Sequence, residues 1–449
     1  MSVRFVLVAL VAFEVLAVVA GAQAQVGRSV WRFEGDQGGA GLGSAVAAAG
    51  DVNGDGYGDV LVGAYAYDGD LDNEGLAAVF HGSPEGPSKL PDWTAEGDIS
   101  FANFGEALAG AGDVNGDGYD DVIVGAWQAR RAHVFHGSAA GLAASPSFTA
   151  LTGDYGLGWS VAGAGDVNGD GYDDVLVGTL HYANGQENEG RVYAYLGSAA
   201  GLAGPVWAVE GNQANAHFGA ALARAGDVNG DGYGDVLVDA PLWNNGQNDE
   251  GRAFLFLGSA AGLATSPAWT AEGDQAGVRL GATLATAGDV NGDGYDDVIL
   301  MAGTYSNGES SEGAAFVYLG SPAGLAASPA WSTESNQFSA LGGGVSSGDL
   351  DGDGYGDVLV GYYAYDRDQR DEGRVFAFFG SPAGLATNPG WSAEGNQRNS
   401  SYGATLAGAG DVDGDGYGDV LVGAFDFDGG QRNEGRVSAY LGSPRRRLP

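Results

Sequence analysis

The chain has 449 residues, with 58 acidic and 19 basic side chains and a formal net charge of −39. Such a charge repels nucleic acid and anionic membrane surfaces, and it favours divalent cations as partners. No cysteine is present, which excludes a disulfide-stapled fold and a lipid anchor on cysteine.

The N-terminal segment, residues 1–24, is predicted to be a secretory signal peptide. Arg4 precedes an apolar run (Phe5–Ala20), and Ala22-Gln23-Ala24 supplies small residues before the cleavage point. Glu14 interrupts the run and weighs against the alternative, a retained membrane anchor, because a carboxylate is costly at mid-bilayer. We therefore expect a secreted or cell-surface protein, extracellular or periplasmic, without membrane insertion after signal removal.

A nine-residue sequence, D-V-N-G-D-G-Y-x-D or a close variant, occurs seven times. The intervals between the leading aspartates are 62, 53, 61, 62, 60 and 62 residues. A period of about 60 residues is typical of an array of supersecondary units. We therefore assign residues 25–444 to one closed array, followed by a basic tail (445–449) that we expect to be disordered. The seven copies begin at Asp51, Asp113, Asp166, Asp227, Asp289, Asp349 and Asp411.

Each unit contains four short strand patterns joined by turns, as the first copy illustrates. A Gly/Ala-rich strand (Gly43–Ala49) precedes the nonapeptide, and a short apolar run (Val60–Ala64) follows it. After a variable polar stretch come an alternating strand (Leu76–His81), a Gly-Ser turn and a short segment at Trp93. Four strands without a helical period predict an all-β fold: a seven-bladed β-propeller of four-stranded antiparallel blades.

The N-terminal strand is predicted to close the ring of blades. An aromatic strand recurs in every unit; its first copy precedes the first nonapeptide, and no copy follows the seventh. We therefore expect the Trp31 segment to pair beside Val437–Leu441, which would hide the open sheet edges. The aromatic positions are Trp31, Trp93, Phe148, Trp207, Trp269, Trp331 and Trp391.

The nonapeptide has the spacing of a calcium loop. Calcium takes roughly six to eight oxygen ligands, and the loop offers side chains at positions 1, 3, 5 and 9 and a carbonyl at position 7. An EF-hand would need Glu at position 12, which is apolar here, as at Val62. The alternative is that the loops are only Asp- and Gly-rich turns, which seven copies with one carboxylate spacing disfavour.

We expect up to seven calcium ions, one per blade. Asp351 and Asp413 replace the asparagine of position 3, so calcium should bind more tightly in those two loops. The predicted metal ligands are Asp51, Asn53, Asp55, Tyr57 and Asp59; Asp113, Asn115, Asp117, Tyr119 and Asp121; Asp166, Asn168, Asp170, Tyr172 and Asp174; Asp227, Asn229, Asp231, Tyr233 and Asp235; Asp289, Asn291, Asp293, Tyr295 and Asp297; Asp349, Asp351, Asp353, Tyr355 and Asp357; and Asp411, Asp413, Asp415, Tyr417 and Asp419.

The residues flanking the loops resemble the FG-GAP repeats of integrin α-subunit propellers. Phe104-Gly105-Glu106-Ala107 and Phe218-Gly219-Ala220-Ala221 precede loops; Val62-Gly63-Ala64, Val124-Gly125-Ala126 and Asp239-Ala240-Pro241 follow them. The resemblance covers nearly all of the chain after the signal segment. It implies that the loops join the first and second strands on the lower face and bind calcium, while ligands approach the opposite face. All seven repeats carry the loop here, whereas only some blades do in animal integrins.

The variable stretches between the second and third strands are the predicted ligand face. They are rich in aromatic and amide residues, as in Tyr65–Asp68 and Tyr362–Tyr365, which suits protein or glycan recognition; the alternative is that they only cover the blade tops. The second unit is shorter here than its counterparts. We interpret this difference as a notch in the rim near Trp127, Arg130 and Arg131.

Catalytic motifs are nearly absent, so no catalytic or organic-cofactor residues are predicted. The five histidines are not expected to cluster, and packing accounts for two of them. Gly344-Val345-Ser346-Ser347-Gly348 matches the G-x-S-x-G elbow by letter, but it precedes a calcium loop and no helix follows. The histidines are His81, His133, His136, His181 and His217.

The sequence therefore predicts a secreted or cell-surface, calcium-binding propeller for adhesion or recognition, in which calcium has a structural role. Its partner would be an unidentified extracellular protein or glycan, and the protein is expected to be a monomer. Two alternatives stay open: an extracellular hydrolase or lyase on a propeller scaffold, and a non-catalytic surface scaffold protein.

Overall fold

Each repeat folds into four short antiparallel strands, because its apolar runs are bounded by Gly-, Asp- and Asn-rich turns. The structure is a computed structural model that describes residues 29–444, so the predicted signal peptide and basic tail lie outside the described residues. The strands are β1 Ser29–Glu34, β2 Ala45–Gly50, β3 Asp59–Ala64, β4 Leu76–Phe80, β5 Trp93–Glu96, β6 Leu108–Gly112, β7 Asp121–Ala126, β8 Arg131–Phe135, β9 Phe148–Ala150, β10 Leu157–Gly165, β11 Asp174–Thr179, β12 Arg191–Tyr195, β13 Trp207–Glu210, β14 Leu222–Gly226, β15 Asp235–Ala240, β16 Arg252–Phe256, β17 Trp269–Glu272, β18 Leu280–Gly288, β19 Asp297–Ala302, β20 Ala314–Tyr318, β21 Trp331–Glu334, β22 Gly342–Gly348, β23 Asp357–Tyr362, β24 Arg374–Phe378, β25 Trp391–Glu394, β26 Leu406–Gly410, β27 Asp419–Ala424 and β28 Arg436–Tyr440.

These strands form seven four-stranded antiparallel sheets, which confirms the predicted propeller. Blades 1 to 6 are β2–β5, β6–β9, β10–β13, β14–β17, β18–β21 and β22–β25, each in sequence order from the axis outward. Blade 7 contains β26, β27 and β28 with β1 as its outermost strand. One 3-10 turn, Trp127–Ala129, lies between the second and third strands of blade 2. No helix among residues 29–444 is long and apolar enough to cross a membrane.

The predicted ring closure is confirmed. Strand β1 pairs antiparallel with β28, and Trp31 lies opposite Ala439. The Trp31 ring also crosses the boundary to blade 1, where it packs edge-on against Phe80 at 5.0 Å. Its indole N–H donates to the Ser88 carbonyl at 2.8 Å. One strand therefore completes blade 7 and joins it to blade 1.

Burial follows the position of a strand within its blade. The second strand of every blade is buried along all six residues, because neighbouring blades pack face to face over it. The first strands are rich in Gly and Ala, as in β2, because they converge on the axis. Two cavities of about 340 and 370 Å³ lie along that axis. Their walls share Leu108, Val161, Leu222, Val345 and Leu406.

Packing between adjacent blades explains why Gly63 and Gly105 are glycines. A Cβ on Gly63, near the end of β3, would overlap the carbonyl oxygen of Gly105 at the start of blade 2. The backbones of adjacent blades therefore touch where a side chain cannot fit. Asp239 and Met301 occupy the Gly63 position in blades 4 and 5.

Asp239 is the one ionisable side chain at that buried position. It is 0% exposed, and its Oδ1 accepts the Ala221 N–H at 2.5 Å, while its Oδ2 has no hydrogen-bond partner among the described residues. Burial raises the pKa of Asp239 well above its usual value. The folded state therefore holds this carboxyl best in its neutral form.

We expect Asp239→Asn to stabilise the protein increasingly as pH rises. As the pH rises from the unfolded-state pKa of about 4 to the raised folded-state pKa, the wild-type unfolding free energy should fall, because folding opposes the ionisation of Asp239 in that range. At pH 8 the variant should be about 1–3 kcal/mol more stable. Denaturant titrations of both proteins at pH 5 and pH 8 in saturating calcium measure the difference, and a pH-independent difference would contradict the assignment.

Candidate metal centre

The seven nonapeptides lie together at one end of the propeller. Each connects the first and second strands of a blade, and the variable stretch connects the second and third strands. Because neighbouring strands are antiparallel, those two connections lie at opposite ends of the blade. The arrangement separates the acidic loops from the aromatic and amide-rich loops, as predicted.

Within each loop the polar side chains fold over the backbone turn. In blade 1 the Asp51 carboxylate accepts the N–H groups of Asp55 at 3.0 Å and Gly56 at 2.8 Å. Asn53 Nδ2 donates to Asp55 Oδ2 at 2.9 Å, and Asp55 Oδ1 accepts the Tyr57 N–H at 3.1 Å. The bond from the position-6 N–H to the position-1 carboxylate recurs in all seven loops, at 2.7 to 2.9 Å. The sequence repeat is therefore also a conformational repeat.

Three carboxylates converge within the loop of blade 6, and three within the loop of blade 7. One oxygen from each of Asp349, Asp351 and Asp353 lies within 4.8 Å of the others. In blade 7 the same holds for Asp411, Asp413 and Asp419, which include positions 1, 3 and 9 of the loop. Hard oxygen donors packed this closely repel one another without a cation and suit the ligand chemistry of calcium. The donor set therefore fits the predicted metal.

The aspartate at position 9 also holds the blade together. Asp59 is 0% exposed; its Oδ2 accepts the Val52 N–H at 2.9 Å and its Oδ1 accepts the Gly82 N–H at 2.8 Å. It thereby ties the loop to the Gly-Ser turn after the third strand, a link that the sequence did not reveal. Burial raises the pKa of Asp59 to about 6, and the pKa of each of Asp121, Asp174, Asp235, Asp297 and Asp419 to about 7.

Neighbouring loops contact one another around the ring. The Tyr119 ring packs so closely on Gly54 that a Cβ there would lie 2.6 Å from the tyrosine Cε1. Asp120 Oδ2 accepts the Asp51 N–H at 2.8 Å. Tyrosines at position 7 approach the preceding loop's glycine in the same way in every blade. Each loop is thus built partly from its neighbour.

The loop-to-loop contact predicts a difference between two glycines of one loop. Gly54 and Gly56 both have positive φ, at 72° and 90°, but only Gly54 lies under a tyrosine; nothing lies within 4 Å of a Cβ on Gly56. We expect Gly54→Ala to lower the unfolding free energy by about 1–3 kcal/mol more than Gly56→Ala. Chemical denaturation in saturating calcium measures both, and equal losses would mean that the tyrosine contact adds nothing.

The structure brings together the predicted side-chain ligands of positions 1, 3 and 5 in each loop, whereas calcium ligation by any of the thirty-five residues stays a prediction. The view that the histidines do not cluster is wrong for one pair. His181 and His217 lie with ring centroids 5.7 Å apart, because the connection between the second and third strands of blade 3 lies beside the connection from blade 3 to blade 4.

An aromatic group fills the predicted notch at the opposite end. Trp127 packs edge-on against Trp159 at 5.0 Å, and its indole N–H donates to Glu106 at 2.6 Å. The Arg130 guanidinium lies 5.1 Å from the Tyr155 ring centroid. Residues of blades 2 and 3 that are far apart in the sequence build this group, so no local motif predicts it. A ligand-binding role for the notch stays a prediction.

Comparisons with known families agree with the repeat. The FG-GAP-like repeat matches residues 113–177, 166–238 and 289–360, and the FG-GAP repeat matches residues 42–80, together more than half of the chain. Integrin alpha-PS2 of Drosophila melanogaster is 32% identical over 252 residues, which are 52% of this chain and 17% of that protein. Integrin alpha-4 of Xenopus laevis is 33% identical over 216 residues, which are 47% of this chain and 20% of that protein.

Solved structures agree at the level of the fold. The WD40 domain of Toxoplasma gondii coronin superposes with a TM-score of 0.50 at 10% identity, covering 93% of this chain and 87% of that domain. A chain from the crystal structure of BBS1N in complex with ARL6DN also gives a TM-score of 0.50 at 10% identity, covering 94% of this chain and 98% of that chain. Identities this low support the propeller architecture alone. The chain covers about a fifth or less of the length of the integrin relatives above.

Proposed function

Because the chain belongs to the FG-GAP repeat family and resembles integrin α propellers, we propose that it is a secreted or cell-surface recognition module stabilised by calcium. The observation that carries the proposal is the separation of the two ends. One end carries seven acidic loops with a single hydrogen-bond pattern, and the other carries variable loops rich in aromatic and amide side chains. Metal would hold the scaffold, and the variable end would bind the partner.

The metal role rests on the chain's own residues. The carboxylates and amides at positions 1, 3 and 5 would supply most of the oxygens, and the aspartate at position 9 would join them while bracing the blade. Bound calcium supplies positive charge that offsets the repulsion between these side chains. Since every loop also touches the next, stabilising one loop would stabilise its neighbour.

We expect Asp351→Asn and Asp413→Asn to weaken calcium binding at their own loops by roughly tenfold each, because each removes one formal charge from the ligand set. Isothermal titration with calcium measures the number and strength of the sites. Asn53→Ala serves as the comparison, because position 3 of its loop is uncharged in the wild-type protein and the substitution removes no formal charge. Unchanged affinities in both charge variants would contradict the idea that blades 6 and 7 hold calcium most tightly.

Capture from extract tests the recognition role. The calcium-loaded protein would be immobilised, exposed to extracellular and cell-surface extract, and eluted with chelator. We expect a specific protein or glycan whose binding is lost on substitution at the variable end, for example Trp127→Ala, and kept in Leu151→Ala, an exposed control. If the folded protein captures nothing specific, the proposal fails, and polysaccharide turnover would then favour the enzyme alternative over the scaffold.

A further inference from the structure

Blade 4 contains an arginine slot near the variable end. The Arg252 guanidinium carbon lies 5.1 Å from the ring centroids of both Trp243 and Phe254. Its Nη2 donates to the Thr270 hydroxyl at 2.9 Å, and its Nη1 lies 3.4 Å from Glu272 Oε1. Aromatic faces, a hydroxyl and a carboxylate therefore surround one planar cation.

Three other blades repeat this arrangement with their own arginines. Arg374 of blade 6 lies 4.7 Å from the Phe376 ring centroid and 3.4 Å from the Glu394 carboxylate. Arg191 of blade 3 and Arg436 of blade 7 likewise combine aromatic contacts with an outer-strand glutamate. Arg131 of blade 2 stands at the same strand position but pairs with Asp98 instead of an outer-strand glutamate. Four of the seven blades thus hold a guanidinium between aromatic rings and an outer-strand glutamate.

Blade 1 keeps the slot but lacks the arginine. Leu76 stands at the arginine position, opposite Glu96 on the outer strand, and Ala78 stands where blade 4 has Phe254. A cavity of about 420 Å³ occupies the space left by the shorter side chains. Tyr67, Thr94, Glu96, Leu90, Pro91 and, from the closing strand, Phe33 line it.

Glu96 lacks both of the partners that Glu272 has in blade 4. In blade 4, Glu272 pairs with Arg252 and also accepts a hydrogen bond from Asn245 at 2.9 Å; the residue equivalent to Asn245 in blade 1 is Gly69. Within residues 29–444 the Glu96 carboxylate has no ion pair and no hydrogen bond. Glu96 is exposed, and partial desolvation of its carboxylate, then repulsion from Glu74 and Asp70, raises its pKa, so an added positive charge would be favourable there.

We propose that the blade 1 cavity binds the arginine side chain of a partner polypeptide, in the way that blades 3, 4, 6 and 7 bind their own. This inference rests on the proposed recognition function, and it identifies one side chain that the recognition module would bind. The cavity matches a guanidinium because Glu96 and Thr94 supply the polar contacts and Tyr67 and Phe33 supply aromatic faces. Leu90 is 74% exposed at its mouth and offers apolar surface to residues flanking the arginine.

Two alternatives fit less well. A divalent metal ion needs roughly six to eight oxygens, whereas the wall here is largely apolar and aromatic. Blade 5 also lacks the arginine, with Ala314 in its place, but Asn307 Nδ2 lies 3.0 and 3.3 Å from the two carboxylate oxygens of Glu334. Blade 1 is therefore the site where a carboxylate, a cavity and the absence of an internal partner coincide.

The test is a titration of the calcium-saturated protein with three short peptides, acetyl-Ala-X-Ala-amide with X as arginine, citrulline or lysine, followed by ligand-observed NMR. We expect the arginine peptide to bind at least tenfold more tightly than the citrulline peptide. Glu96→Gln should remove that preference. Leu76→Arg should fill the slot internally, abolish binding, and melt at or above the wild-type temperature, whereas Glu334→Gln in blade 5 should bind like wild type.

Equal binding of the arginine and citrulline peptides, absence of saturable binding, or unchanged binding by Leu76→Arg would overturn the inference. Calcium that binds tightly at Glu96 and leaves peptide binding unchanged would do the same, because the peptide would then not be bound at Glu96. The outcome is separable from the proposed function: a partner captured from extract that binds Leu76→Arg as well as wild type would leave the recognition module standing with its site elsewhere.

Discussion

Removing calcium with excess chelator is expected to lower the Tm of the protein by more than about 15 °C. A ligand at a hundredfold excess over its Kd stabilises the folded state by about 2.7 kcal/mol per site, and up to seven sites are available. The chain has no disulfide to limit unfolding once the metal is lost. Differential scanning calorimetry of the same preparation in calcium and in chelator measures the change.

The control is restoration of the original Tm on adding calcium back, with magnesium as a comparison ion. Magnesium should restore less, because it requires a near-ideal octahedron and gives up its water reluctantly. A Tm that does not respond to chelator would show that the loops are plain acidic turns. That result would also remove the physical basis for placing calcium in the proposed function.

Calcium loss should also act across blades rather than one blade at a time. Each loop's tyrosine packs on the preceding loop, and backbone bonds join loops as well, such as Gly58 N–H to the Asp411 carbonyl at 2.8 Å. The contact between blades 7 and 1 belongs to the same series, so the ring of loops is continuous. We therefore expect a single unfolding transition in calcium instead of separate transitions for separate blades.

The repeat explains why the sequence predicted the architecture well. A fixed period, small residues in the first strand and a leading aromatic strand such as Trp31 are local signals, and each specified one feature of the blade. Asp59 shows the limit of such signals. Its spacing indicated a metal ligand, but its bond to Gly82 depends on how the third strand returns to the loop, which no local pattern records.

Contacts between blades were also outside the reach of local patterns. His181 and His217 are 36 residues apart in the sequence, and they meet because the connection within blade 3 lies beside the connection from blade 3 to blade 4. The blade 1 cavity depends on Leu76 standing, in the structural register, where blade 4 has Arg252, and no local pattern aligns those two positions. In a repeat protein the departures from the repeat therefore carry functional information that the repeat itself does not.

Trp31→Ala is expected to be the most damaging single substitution on the closing strand, lowering the unfolding free energy by about 3–5 kcal/mol. Trp31 is 7% exposed, and its ring and N–H join blade 7 to blade 1. Its loss weakens the only boundary that is closed by the two ends of the described chain. Chemical denaturation in saturating calcium measures the loss.

Two comparisons show whether ring closure is the cause. Phe338→Ala removes an aromatic ring that is 67% exposed and should cost less than about 0.5 kcal/mol. Trp269→Ala removes the same kind of contacts, with Tyr318 and the Ala326 carbonyl, at an internal boundary where the chain itself continues from one blade to the next. Because that covalent link keeps blades 4 and 5 adjacent, we expect a smaller loss than for Trp31→Ala.

A protein beginning at Gly43, which lacks β1 altogether, should melt well below the longer chain, and an equal Tm would show that the propeller does not need its N-terminal strand.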